Sequence, residues 1–349
     1  MTLQPRFLNV RRLFTVGIGA ALAASSLAIQ EGARSDDAAY KSLKGHIPPI
    51  VATSRPVARV APAETVHLAL SLPLHNEAAL DDLLRHLYTP GDPQQGDFLT
   101  PQTFASRFGP SEADYAAVTA YAAAYGLKIE QTHSNRLVLD ISGPAASVER
   151  AFGTRLLQYQ DKTGRIFRAP AQEPVVPAAL ASRISAVVGL DTAQTWRPHY
   201  RVQKAANGNG PVAMAGSGPA GGLSPADIKN AYGLSGTPLT GTGQTLALFE
   251  LDGYNPSDIT TYETTFGLPN VPLKNVLVDG ATGAAGSGAV EVVLDIELMT
   301  ALAPGAQQIM VYEGPNSGQG VIDTYNRIAT DNIAKQISTS WGLDEGSSG

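Results

Sequence analysis

The chain of 349 residues contains no cysteine. It therefore cannot form disulfides, use a thiol nucleophile or build a cysteine-based zinc site. Charged residues make up only 16% of the sequence and hydrophobic residues 43%, a balance that is typical of globular proteins and excludes an intrinsically disordered chain. The length allows two or three domains, each with a core of its own.

Histidine is also scarce, and none occurs after residue 199. The six histidines are His46, His67, His75, His86, His133 and His199. None of them has the spacing of a metal-ligand motif, so we interpret them as structural residues and predict no metal site. Because the C-terminal part has neither histidine nor cysteine, it cannot contain a Ser-His-Asp or Cys-His site. A hydrolytic site there would need a carboxylate as its base.

Basic residues are few in the C-terminal part of the chain. From Leu223 onward there are 14 acidic and 4 basic residues, a net charge of −10, whereas Ile29 to Gly222 carries a net charge of +1. Such an acidic half argues against nucleic acid as a partner. It is consistent with tolerance of acid, where carboxylates lose their mutual repulsion, and equally with simple solubility.

Long apolar runs are absent beyond the N-terminus. Residues 1–28 combine an arginine-containing start, the apolar run Leu13–Ala24 and the small-x-small site Ser26-Leu27-Ala28, which together predict a secretory signal peptide. Cleavage after Ala23 is an alternative. An uncleaved anchor is less favoured because the run is too short to span a bilayer comfortably. We therefore expect a secreted protein with no membrane association once the signal is removed.

Composition and periodicity divide the rest of the chain into four parts. Residues 29–63 are polar and predict a disordered leader, and 64–195 interleave helices with alternating strands, which predicts an α+β domain of ferredoxin-like type. Residues 196–222 are rich in glycine and predict a flexible linker with a processing site. Residues 223–349 alternate apolar strands with helices, which predicts a parallel-sheet α/β domain. The sequence stops directly after a strand, so we expect this domain to be incomplete.

Two carboxylates stand out in the apolar helix predicted within the stretch Gly288–Gly305. Glu291 and Asp295 are four residues apart and share one face of the helix. Close carboxylates in an apolar setting can hold a proton at a useful pH, but solvated helix carboxylates are also common, so both interpretations remain open. Glu250 ends the apolar strand 245–251, where site residues of parallel sheets gather. Glu297 is interpreted as solvated.

Several segments resemble the sedolisins, the serine-carboxyl peptidases, and in particular their kumamolisin-like members. In the C-terminal part these are Pro225–Tyr232, Gly241–Thr245, Phe249–Tyr254, Glu291–Leu298, Ala301–Ala306 and Ile337–Gly342. In the preceding part they are Phe98–Pro101, Arg107–Ser111, Val148–Gly153 and Val188–Leu190, which resemble the activation prodomain of the family. The resemblance implies an incomplete subtilisin-like catalytic domain that follows a prodomain.

The resemblance also implies roles for individual residues. Glu291 would be the general base and acid for a serine nucleophile, and Asp295 would orient it. Glu250 would extend the proton network, and Trp341 would lie near the substrate cleft. Peptides would be the substrates, and the prodomain would inhibit its own catalytic domain. A carboxylate base of ordinary pKa works best in acid.

The sequence departs from the family pattern in what it lacks. The Gly-Thr-Ser segment of the nucleophile, the Gly-Asp-Ser-Gly segment of the oxyanion aspartate and the C-terminal calcium site do not occur in the 349 residues. No cofactor is therefore expected in this chain, although calcium is implied for the full-length protein. Ser338 and Ser340 lie in a predicted strand without the turn that exposes a nucleophile. We expect the chain alone to be inert.

Two alternatives to a protease precursor follow from these observations. A truncated homologue could bind or inhibit related proteases through its prodomain. A carboxylate-pair glycosidase is weaker, because one-turn spacing leaves no room for a sugar between the two acids. The charge counts add a hypothesis: the prodomain binds the acidic half partly by electrostatic attraction, and acid loosens the pair.

Overall fold

The structure is a computed structural model, and it describes residues 39–198, 200 and 216–343. Residues Asp37–Gly349 belong to one compact unit. The predicted signal peptide and the first part of the predicted leader lie outside the described residues. No helix in the described part of the chain is long and apolar enough to cross a membrane.

The described residues contain fifteen strands and eight α-helices. The strands are β1 (Tyr40–Ser42), β2 (Arg55–Arg59), β3 (Thr65–Ser71), β4 (Lys128–Thr132), β5 (Val138–Pro144), β6 (Leu156–Gln160), β7 (Ile166–Pro170), β8 (Val175–Pro177), β9 (Ala186–Val188), β10 (Arg197–Pro198), β11 (Thr245–Glu250), β12 (Leu273–Leu277), β13 (Gln308–Glu313), β14 (Gln336–Thr339) and β15 (Trp341–Gly342). The helices are α1 (Glu77–Tyr88), α2 (Pro101–Phe108), α3 (Glu112–Ala124), α4 (Ala145–Phe152), α5 (Pro225–Ala231), α6 (Pro256–Phe266), α7 (Ala289–Leu302) and α8 (Gly318–Asp331).

The first half of the described chain is built on a four-stranded antiparallel sheet. Its strands follow the spatial order β4-β5-β3-β9, and helices α3 and α4 pack against it. Strand residues alternate between two faces, and the apolar set Val66, Leu68 and Leu70 joins the core with the helices. The other face of β3 is covered by α8 from the second half of the chain. The central strand β5 is therefore buried over nearly its whole length, whereas the edge strand β4 is mostly exposed.

The prediction of a disordered leader over residues 29–63 is wrong for the part that the structure describes. Strand β1 pairs with β8, and β2 pairs with β6 in a three-stranded sheet with β7. Ile50 and Val51, in the short helix between β1 and β2, pack against a small apolar cluster. The strands were missed because every residue of β1 and β2 is exposed and gives no apolar alternation.

The second half of the described chain contains the parallel sheet that the sequence predicted. Its order is β12-β13-β11-β14, and all neighbouring strands are parallel. The core of this part combines strand residues such as Leu248 and Ile309 with Val292 and Ile296 of α7. Helix α8 runs between β13 and β14 and contacts β3 of the first half. The ends of β11 and β13 are in register, with Glu250 opposite Glu313.

The segment predicted as a flexible linker over residues 196–222 is partly ordered. Strand β10 pairs with β15, and the backbone of Trp196 exchanges two hydrogen bonds with the side chain of Asn316. A short helical turn at Pro219–Gly221 precedes α5. Residues 201–215 lie outside the described part. The two ends of the predicted linker are therefore held by specific contacts that glycine content alone does not reveal.

Candidate active site

Glu250 ends β11 in a fully buried position, with 0% of its surface exposed. Its neighbour Phe249 is on the opposite side of the strand and stacks on Tyr325 of α8, with ring centroids 4.1 Å apart. The indole Nε1 of Trp341 donates a hydrogen bond of 2.8 Å to Glu250 Oε2. Among the described residues, no donor reaches the other oxygen, Glu250 Oε1. A buried carboxyl with one donor for two oxygens favours its protonated form.

Helix α7 supplies the two carboxylates that the sequence singled out. Glu291 lies in its first turn and Asp295 one turn further, and both are buried. The hydroxyl of Ser340 donates to both oxygens of Asp295, at 2.9 Å and 2.8 Å. Ser340 adjoins Trp341, so one short segment contacts both Asp295 and Glu250. The structure thus brings together all four residues named from the sequence.

The pKa values of these carboxyl groups are raised. Burial raises the pKa of Glu250 to about 9, the negative charges of Asp295, Glu291 and Glu313 act in the same direction, and the Trp341 hydrogen bond opposes them. Burial also raises the pKa of Asp295, against the opposing hydrogen bond from Ser340. Several carboxyl groups with shifted pKa values in one buried site are typical of acid–base catalytic centres. Glu250 carries a proton at neutral pH.

Two acidic residues of the site were not found from the sequence. Asp252, just beyond β11, accepts hydrogen bonds from the backbone N–H groups of Gly286 at 2.9 Å and Gly288 at 2.6 Å, and so fixes the loop that leads into α7. Glu313 ends β13 in register with Glu250 and is 1% exposed. Burial and the charge of Asp252 raise the pKa of Glu313 to about 7. The position of Glu313 at the carboxyl end of a parallel strand could have indicated from the sequence that it belongs to the site.

The prediction that Glu297 is solvated is wrong. It is half-buried, and burial together with the charge of Asp258 raises its pKa to about 7. It lies beside Tyr262 of α6 rather than beside Glu250. Its exposure was predicted wrongly because α6 packs over this part of α7.

Replacing Gly288 with alanine is expected to displace Trp341. A Cβ atom at Gly288 would lie 2.4 Å from Cη2 of the Trp341 ring, closer than any real contact. Overpacking of this kind costs typically about 1–3 kcal/mol of unfolding free energy. Chemical denaturation and indole fluorescence would show the loss and the broken Trp341–Glu250 bond. Gly236→Ala is the control, because its Cβ meets nothing within 4 Å; equal effects of both changes would contradict the prediction.

A second group of ionisable side chains lies where α8 meets the first half of the chain. His133, Asp140 and Asp323 place one nitrogen or oxygen each within 4.8 Å of one another. Burial, then the facing carboxylates of Asp140 and Asp279, raise the pKa of Asp323 to about 9. The interpretation of the histidines as structural residues stays a prediction, but His133 has two acidic neighbours in this group. Its neighbours are 7 and 190 residues away in sequence, so no spacing motif could reveal them.

These observations define a class of protein: a parallel-sheet α/β domain with a carboxylate-based site, which follows and contacts a separate α+β domain. The family model of the pro-kumamolisin activation domain matches residues 52–193. The chain is 34% identical over 256 residues to kumamolisin from Bacillus sp. (strain MN-32), covering 71% of this chain and 46% of that protein. It is 30% identical over 304 residues to sedolisin from Pseudomonas sp. (strain 101), covering 84% and 50%. It is a kumamolisin-like member of the sedolisin family.

The chain spans about half the length of these curated relatives. A solved structure of Pseudomonas sedolisin, a serine-carboxyl proteinase complexed with two molecules of pseudo-iodotyrostatin, matches with a TM-score of 0.30 and 23% identity over 33% of each chain. Residues 52–193, which the activation-domain model matches, are called the prodomain below, and the part from residue 223 onward is called the peptidase region.

Proposed function

We propose that the chain is the N-terminal portion of the precursor of a secreted, acid-acting serine-carboxyl endopeptidase. The observation that carries the proposal is the convergence of Glu250, Glu291, Asp295 and Trp341 at one buried site. These positions are far apart in sequence, and they meet beside the end of the parallel strand β11. Glu291 acts as the general base and acid, and Asp295 orients it.

In the proposed reaction Glu291 accepts the hydroxyl proton of a serine as its oxygen attacks the peptide carbonyl carbon. Glu291 then returns this proton to the leaving amine, and the same sequence with water releases the acid product. Glu250 is protonated and adjoins Glu291 and Asp295, and it accepts a hydrogen bond from the indole of Trp341. The 349 residues contain no Gly-Thr-Ser segment, so the proposal assigns the serine and the oxyanion aspartate to sequence beyond residue 349. Calcium would bind there too, and it takes no part in these steps.

The prodomain is proposed to inhibit the peptidase region within the same chain. Strand β10, just after the prodomain, pairs with β15 through the register Arg197 with Gly342 and Pro198 with Trp341. This places the prodomain's outgoing chain beside the Trp341 that contacts Glu250. The order β4-β5-β3-β9 with its two helices supports a ferredoxin-like prodomain. We further propose that residues 1–28 direct export of the protein. The prodomain is then released by cleavage within residues 196–222.

The proposed release of the prodomain in acid depends on the charges of the prodomain and the peptidase region. The net charges of +1 and −10 favour association at neutral pH. At the contact itself, however, Asp140 of the prodomain faces Asp323 of the peptidase region. Because the pKa of Asp323 is raised to about 9, this contact adds no charge attraction, and the proposed acid-driven release rests on the overall charges.

A second candidate function is that of an inert homologue that binds related proteases. The missing Gly-Thr-Ser segment favours it, and the hydroxyl of Ser340 is engaged by Asp295. Such a protein would use its prodomain against the cleft of a partner. It would not hydrolyse peptides at any pH.

The experiment that separates the two functions starts with the gene. DNA beyond codon 349 that encodes Gly-Thr-Ser in frame supports the precursor, and the extended protein should then cleave itself and peptides near pH 4. The 349-residue chain without the extension is the matched control and should show no activity above background. A stop at codon 350 combined with inhibition of an active sedolisin would support the second candidate instead.

A further inference from the structure

The prodomain sheet presents an acidic residue to the peptidase region. Along β5 the residues Leu139 and Ile141 face the prodomain core, and Asp140 between them points to the opposite face. That face would be solvated in an isolated sheet, but α8 covers this sheet, and Asp140 is only 1% exposed. His133, just after β4, contacts Asp140 through its Nε2 at 2.7 Å.

Helix α8 contributes a carboxylate to the same place. Asp323 is 2% exposed, and within the described part of the chain neither of its oxygens accepts a hydrogen bond. Asp140 Oδ1 is likewise buried without a donor. A buried carboxylate is retained at high cost unless a cation or hydrogen bonds compensate its charge. One oxygen of Asp140 and both oxygens of Asp323 are thus buried without a donor among the described residues, and Asp323 faces a further carboxyl group, that of Asp279.

The nearby positive charges do not compensate this group. His133 pairs with Asp140 at 2.7 Å rather than with Asp323. Arg168 lines the adjoining cavity, but its guanidinium donates to Glu64 and to the carbonyls of Gly189 and Leu190. No salt bridge among the described residues involves Asp323.

We propose that His133, Asp140 and Asp323 bind a divalent transition-metal ion that joins the prodomain to helix α8. One imidazole nitrogen with two carboxylates is a donor set that suits Zn²⁺, whereas Ca²⁺ and Mg²⁺ select oxygen ligands alone. The ligand atoms lie within 4.8 Å of one another, close enough to converge on one ion after small adjustments. Two ligands come from the prodomain and one from the peptidase region, so the ion would stabilise their association.

An access route and a further oxygen ligand are available. A cavity of about 540 Å³ lies between the prodomain and the start of α8, and it is lined by Asp140 and Asp279. Asp279 faces Asp323 and could bind the ion or a water molecule on it. This inference does not depend on peptidase activity. It would hold equally for a precursor and for an inert binding protein.

The test is a zinc titration of the 349-residue chain at pH 7, followed by calorimetry and by thermal unfolding. We expect one saturable site of micromolar or tighter affinity and a rise of several degrees in the unfolding midpoint at 100-fold excess over Kd. Asp323→Asn and His133→Gln should each weaken binding at least tenfold. Asp323→Asn should also show a cooperative unfolding transition without zinc, because asparagine is a neutral isostere of the protonated Asp323 side chain. That result would show that the variant is folded.

His86→Gln provides the matched control, since His86 also contacts two aspartates, Asp82 and Asp92, but on the exposed surface of α1. It should retain the zinc affinity and the full rise in unfolding midpoint. The proposal is overturned if the original chain shows no saturable binding, which would mean that a shared proton neutralises the cluster. It is equally overturned if Asp323→Asn binds zinc as the original chain does, or if His86→Gln alone abolishes binding.

Discussion

Glu291→Gln is expected to lower kcat for acid peptide hydrolysis about 10²–10⁴-fold in the protein extended by its downstream sequence. An amide cannot accept the serine proton, so the general-base step is lost while the shape of the side chain is kept. The KM for peptide should change little, because Glu291 acts on the serine rather than on bound substrate. Steady-state kinetics between pH 3 and pH 6 would measure both constants.

The matched control for this variant is Glu297→Gln on the same helix. Glu297 is half-buried beside Tyr262, away from Glu250, and should leave kcat within about threefold of the original, by analogy with changes outside the site. Circular dichroism and thermal unfolding would confirm folding of both variants. Retention of full activity by Glu291→Gln would exclude Glu291 as the base.

Glu250→Gln is expected to stabilise the chain at neutral pH and to leave it unchanged near pH 4. The pKa of Glu250 is raised from 4.5 to about 9 in the folded protein. Below pH 4.5 both the folded and the unfolded states carry the proton, and above that value only the folded state keeps it. Stability therefore falls as the pH rises, by about 1.4 kcal/mol per pH unit from this group.

At pH 7 this loss amounts to roughly 3 kcal/mol, and glutamine avoids it because it does not ionise. Its amide oxygen can still accept the Trp341 hydrogen bond, so the local packing is preserved. Urea unfolding at pH 4 and pH 7 would measure the difference in unfolding free energy. A variant with the same pH dependence as the original chain would contradict the assignment of a protonated Glu250.

Glu263→Gln is the contrasting control, since Glu263 is also buried but accepts hydrogen bonds from Asn270 at 2.9 Å and from the backbone of Val271 at 3.2 Å. Replacing this carboxylate weakens charge-assisted hydrogen bonds and should cost about 1–2 kcal/mol at pH 7. Opposite signs for the two substitutions would show that local hydrogen-bond donors, rather than burial alone, decide the effect of replacing a buried glutamate.

Much of the candidate site could be predicted from the sequence, because its residues lie in regular elements with strong patterns. The apolar strand ending at Glu250 and the helix carrying Glu291 and Asp295 are visible from periodicity alone. Trp341 was found only through resemblance to the sedolisins. Their convergence follows from a general rule, since the ends of parallel strands meet at one edge of the sheet.

Other parts of the fold could not be predicted because they depend on partners distant in sequence. Strand β2 is fully exposed and is defined only by its pairing with β6, about a hundred residues away. Asp140 follows the alternation of a solvated strand face, and nothing local indicates that α8 covers it. Ser340 appears as an ordinary strand residue until its hydroxyl is seen to donate to Asp295.

The sequence by itself determined the two-part organisation, the family and the carboxylates of α7 and β11, since local periodicity and composition encode these features. Only the tertiary structure decided the protonation and the contacts of those carboxylates. Glu250 is kept neutral by burial among Glu291, Asp295 and Glu313, and Asp323 meets His133 and Asp140 only because α8 packs on the prodomain sheet. Burial and charge proximity are properties of distances in space, and the order of residues along a chain does not contain them directly.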